Sequence, residues 1–136
     1  MIKSQLREFI ERVVDTRTIA QDDVRFLAET VLEDGLGSRD EAEALLSLER
    51  ALAAPESFRT VLSALVVDFV VWGSRPTGTV TKDDAAWLAA TLDLGGPNPT
   101  GMRIAEAVAA EADQVDEALV SFILRGRQAA RSLVAA

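Results

Sequence analysis

The sequence predicts an all-α fold, a single-domain bundle of about seven helices containing a repeated helical hairpin. Three observations predict it. Apolar residues return at helical spacing from one end of the chain to the other. Capping residues and Gly or Pro breaks separate those runs at regular intervals. The chain is also rich in alanine and has only 4 prolines among 136 residues, and alanine loses no side-chain entropy in a helix.

The helices follow in order. Leu6, Phe9, Ile10, Val13 and Val14 keep 3.6-residue spacing and predict a helix over about residues 2–14. A second run opens near Ala20, with Val24, Leu27, Val31 and Leu32 as its stripe, and ends at Gly35 and Gly37. Ser38 and Glu41 form a Ser-x-x-Glu capping pattern that opens a third helix carrying Leu45, Leu46, Leu48 and Leu52. Pro55 fits the first turn of a fourth, which runs to about Trp72 and is apolar on nearly all sides. The stretch from Gly73 to Gly78 is a loop. Thr81 and Asp84 then repeat the capping pattern before a fifth helix with Ala85, Trp87, Leu88 and Leu92. Gly95-Gly96-Pro97-Asn98-Pro99 breaks it. Asn98 caps a sixth helix, with Pro99 at its first position, and a seventh begins near Val115.

Residues 19–31 align with residues 80–92 at a constant offset of 61. The Asp-Asp pair, the Leu-Ala pair and a Thr are identical in the two. A glycine break, a cap and another helix follow each copy, so the repeat units are taken as about 19–53 and 80–112 of one domain, 1–136. The first-turn aspartates suit the free N–H groups and positive end of a helix, and Phe26 and Trp87 are expected in the core.

Composition narrows the chemistry. The chain has no Cys and no His, which removes disulfides, thiolate metal sites, cysteine nucleophiles and histidine acid–base catalysis. Only oxygen ligands remain, suited to Ca²⁺ or Mg²⁺. A net charge of −8 opposes binding to nucleic acid. The most apolar run, Val61 to Trp72, is too short to span a bilayer and contains Asp68. The opening residues mix charge with apolar side chains, unlike a signal peptide. A cytoplasmic, non-catalytic protein without a cofactor is expected.

The stretch from Val31 to Leu45 resembles the signature of the TerB-like family, named for tellurite resistance proteins. There a helix ends in Asp-Gly, a Glu stands six residues after the Gly, and an apolar residue follows four later. Asp34, Gly35, Glu41 and Leu45 occupy those places. The second copy departs from the pattern, with Gly95-Gly96 and then Gly101 or Met102 instead. The resemblance implies a helical bundle with EF-hand-like turns. Family members are associated with stress responses, metal ions and membrane-linked complexes, and no enzymatic activity carries over.

Residues 20–49 hold nine acids against Arg25 and Arg39. Glu33, Asp34, Asp40 and Glu41 cluster around one turn and are the candidate ligands for a weak Ca²⁺ or Mg²⁺ site. A standard calcium loop is excluded. With Glu41 at position 12, Leu32 falls at position 3, where an oxygen ligand is needed. Asp68, within Val66 to Trp72, is expected at a helix edge with a bonding partner. Arg125, Arg127 and Arg131 make the last helix basic, which suits its C-terminal dipole and leaves contact with an anionic membrane or an acidic partner open. The expected role is an interaction or sensing domain that binds a protein partner or itself. The alternative is a divalent-cation binder using the acidic turn at 33–41.

Overall fold

The computed structural model describes residues 2–94, 96 and 98–135. Its α-helices are α1 (Ser4–Thr16), α2 (Gln21–Phe26), α3 (Arg39–Ala51), α4 (Glu56–Val67), α5 (Lys82–Leu92), α6 (Pro99–Glu111) and α7 (Glu117–Ala135). The fold class is all-α. Among the described residues the only strands are β1 (Thr79–Val80) and β2 (Gln114–Val115), two residues each and parallel. The chain divides into two compact units, Met1–Phe69 and Val70–Ala136.

In the first unit α1 buries Leu6, Phe9 and Val13, the stripe read from the sequence. Burying a side chain of this kind contributes about 1.5–3 kcal/mol. The helix closes at Arg17, whose backbone is left-handed. α2 begins after Ala20, which has no side-chain acceptor. Asp23 instead takes the Ala20 N–H at 2.9 Å, one half of a capping box. α2 then widens into a π-helical turn over Leu27–Val31, marked by the Leu32 N–H donating to the Leu27 carbonyl at 2.8 Å. With that extra residue in the turn, Val31 and Leu32 are both buried, together with Leu27. Phe26 is 41% exposed rather than in the core. The Arg12 guanidinium lies 5.4 Å from its ring centroid and covers it.

α3 opens as expected, the Glu41 N–H donating to Ser38 Oγ at 3.3 Å. Pro55 is the N-cap of α4, one place before the first turn assigned to it. α4 is not apolar all round. Glu56, Thr60, Ala64, Asp68 and Trp72 are exposed at every fourth position along it and the π-helical turn Asp68–Trp72 that follows. Such spacing makes one solvent-facing stripe. α1 packs on the Leu27–Val31 turn, and α4 packs on α2 and α3.

In the second unit Thr81 Oγ1 caps α5 by accepting the Asp84 N–H at 3.3 Å. Asn98 Oδ1 caps α6 by accepting the Gly101 N–H at 2.6 Å, with Pro99 at the first helical position. Gly95 and Pro97 of the intervening break lie outside the described residues. Val115, read as the start of the last helix, pairs instead with Val80, and α7 starts at Glu117. Trp87 is half-buried rather than core. α7 packs on α5 and α6, and α5 packs on α6.

The two units run in parallel along the chain. Gln21 and Lys82, which open α2 and α5, are 61 residues apart. Arg39 and Pro99, which open α3 and α6, are 60 apart, and Glu56 and Glu117, which open α4 and α7, are again 61 apart.

Candidate functional site

The four candidate ligands do not converge. Glu33, Asp34 and Asp40 are exposed, whereas Glu41 is 2% exposed and points inward. Among the described residues no three acidic side chains form a group that could hold a metal ion. Glu41 is occupied by the backbone. Its Oε1 accepts the Gly37 N–H at 2.8 Å, and its Oε2 accepts the Lys3 N–H at 3.0 Å. One carboxylate thus ties the loop before α3 to the segment before α1, close to the positive end of α3. Gly35, at φ 85°, makes the left-handed turn that brings the chain round to Ser38, which explains an Asp-Gly at this place without an ion.

Asp68 is exposed at the start of its π-helical turn, so it needs no buried partner. Of the three basic residues on α7, Arg127 is paired with Glu106 of α6, donating through Nε at 3.1 Å and through Nη2. Among the described residues, no buried side-chain nitrogen or oxygen lacks a hydrogen bond.

A concavity in the second unit was not foreseen from sequence. It is a cleft of about 620 Å³ between the start of α6 and the C-terminal half of α7, reached by Asp93 at the end of α5. Pro99, Met102, Phe122, Ala129 and Ala130 make it apolar, while Asp93, Asn98 and Arg125 add a carboxylate, an amide and a guanidinium. Gly126 lies between those walls. A Cβ there would stand 1.7 Å from Met102 Cε, so the absence of a side chain lets the methionine of α6 lie against α7. An isolated glycine inside a long helix was the signal available in the sequence. Among the described residues neither Asp93 nor Arg125 has an ion pair, and the two do not reach each other.

No protein-family model, no curated protein and no solved structure matches this chain. A shallower depression of about 450 Å³ in the first unit, lined by Arg7, Asp40, Glu43 and Ser47 among others, is open to solvent. Among the described residues no helix is long and apolar enough to cross a membrane. The described lining of the cleft between α6 and α7 brings one carboxylate, Asp93, together with the Asn98 amide and the Arg125 guanidinium.

Proposed function

We propose that this chain is a non-catalytic interaction domain of the cytoplasm, similar in plan to the TerB-like helical proteins and built from two related three-helix units. It holds a protein partner, or a second copy of itself, in the cleft of the second unit. The observation that carries the reading is the cleft itself. Its volume of about 620 Å³ and its mostly apolar walls with a few polar groups are the usual make-up of a binding site. The relation between the units is supported by the matched helix starts at offsets of 61, 60 and 61, and by α4 packing on α2 and α3 as α7 packs on α5 and α6. The alternative, a weak Ca²⁺ or Mg²⁺ site on the 33–41 turn, has only the exposed acids Glu33, Asp34 and Asp40 in its favour, because Glu41 is committed to backbone N–H groups.

Ala129 is exposed on the cleft wall, so Ala129→Glu places a charge in the cleft without opening the core. Sedimentation velocity and affinity capture from cell extract, run on the wild-type chain and on Ala129→Glu, test the proposal. A self-association or a captured protein that Ala129→Glu loses supports it. Identical behaviour of the two chains overturns it.

A further inference from the structure

The inward face of α7 is covered over only part of its length. Leu119 and Phe122 are buried, and the same helical spacing continues through Gly126 to Ala129, which is exposed on the cleft wall. Met102 of α6, across the cleft, is half-exposed. Two charges border this apolar stretch, and they come from different elements. Asp93 stands at the end of α5 and Arg125 on α7. Both are exposed, and neither has an ion pair among the described residues. Whatever fills the cleft therefore meets an acid from one element and a base from another.

We infer that the cleft is the contact surface of a symmetric homodimer, in which Asp93 of each copy pairs with Arg125 of the other. This rests on the interaction-domain reading and names the partner. In a two-fold interface, if one residue contacts a second across the axis, the second contacts the first in return. A second copy thus brings the matching base and the matching acid together, at the spacing the first copy sets, and the ion pair forms twice. Met102, Ala129 and Ala130 of both copies supply the apolar contact between those pairs. The charges fix the register of the two copies, and the apolar walls supply the affinity. The distribution of charge along the chain permits the approach. Most of the acid surplus behind the net charge of −8 lies in residues 1–69, so copies meeting at the second unit bring little like charge together.

The test is sedimentation velocity of the full chain over a range of concentrations. A monomer–dimer equilibrium is expected for the wild type. Asp93→Arg and Arg125→Glu, each at an exposed position, set like charges face to face twice in the dimer. Each should weaken self-association at least about tenfold. Mixed in equal amounts, the two variants should associate again, because one carries two bases at these places and the other two acids. The chain with both substitutions should associate as the wild type does. The mixture and the double variant distinguish a lost contact from a lost fold, since neither restores a chain that has unfolded. A wild-type chain that is still a monomer at about 1 mM overturns the inference. So does a dimer that both single reversals leave unchanged, or losses that neither the mixture nor the double variant restores. A monomeric chain that captures a protein from extract, and loses it on Ala129→Glu, would refute the second copy and keep the interaction domain. Neither self-association nor such capture removes both.

Discussion

Replacing Glu41 by alanine should destabilise the first unit by about 2–3 kcal/mol. The side chain is 2% exposed and accepts the Gly37 N–H at 2.8 Å and the Lys3 N–H at 3.0 Å. A hydrogen bond to a charged group contributes about 1.5–3 kcal/mol when one partner is lost in a buried setting. Gly37 and Lys3 are themselves exposed, so water reaches their N–H groups once the carboxylate has gone. This places each bond at the lower end of that range. Glu41→Gln keeps one acceptor oxygen but turns an NH₂ toward the other donor, so its cost is about 1–2 kcal/mol. For a chain of this length each kcal/mol moves the midpoint about 3–5 °C, so Glu41→Ala should melt about 6–15 °C lower.

Denaturant and thermal unfolding give the loss, and amide exchange locates it. In Glu41→Ala the Lys3 and Gly37 amides should exchange faster, while α5 and α6 amides keep their protection. The loss should be the same in chelator as in millimolar Ca²⁺ or Mg²⁺, because the carboxylate's work is with the backbone. A stability within about 0.5 kcal/mol of wild type would refute the assignment. A loss seen only when a divalent ion is present would instead restore Glu41 as a ligand.

Three further outcomes follow. Asn98→Ala removes the acceptor for the Gly101 N–H and should cost about 1 kcal/mol by chemical denaturation, as should Thr81→Ala on α5. Gly126→Ala should be neutral or destabilising, because the roughly 1 kcal/mol that alanine gains in a helix is offset by displacing Met102. The double variant Gly126→Ala/Met102→Ala should lose less than the two single losses together in a double-mutant cycle. Arg12→Ala removes an ion pair with Asp23 and the cover over Phe26, both at the surface, and should cost no more than about 1 kcal/mol in the same assay.

Much of the fold was legible because caps and stripes are local. Ser38, Thr81 and Asn98 accept the N–H groups that their spacing to Glu41, Asp84 and Gly101 implies, and the stripe Leu6, Phe9, Val13 is buried in the order written. What was missed depends on longer range or on small departures from regularity. Helical spacing puts Val31 and Leu32 on the buried stripe but cannot announce the π-helical turn at Leu27–Val31. Two-residue strands such as Thr79–Val80 and Gln114–Val115 carry no period at all. The run Val66 to Trp72 reads as buried on composition, yet Asp68 belongs to a stripe of five exposed positions, four residues apart, starting at Glu56. The acidic turn shows the same limit. Glu33, Asp34, Asp40 and Glu41 are neighbours along the chain, but the helix start turns Glu41 inward while the other three face water.

If the units descend from one pattern, the cleft marks where their packing diverged. At an offset of 60, Met102 stands where α3 has Ala42, and at an offset of 61, Gly126 stands where α4 has Leu65. The small residue of the pair has moved from the second helix of the unit to the third, and the large one in the opposite direction. Such an exchange keeps the pair's volume nearly constant, which is the kind of core change a fold tolerates best. Its result differs in kind, however. Ala42 and Leu65 are both buried in the first unit, whereas Met102 is half-exposed and Gly126 leaves a gap that only the methionine tip enters. The first unit also keeps a glutamate at position 41 that ties its helix α1 in place, and the second has Gly101 at the matching place. Met102→Leu tests the exchange. It preserves apolar volume, so chemical denaturation should find its unfolding free energy within about 1.5 kcal/mol of wild type. A larger loss would show that the contact with Gly126 depends on the unbranched shape of methionine and not on its volume alone.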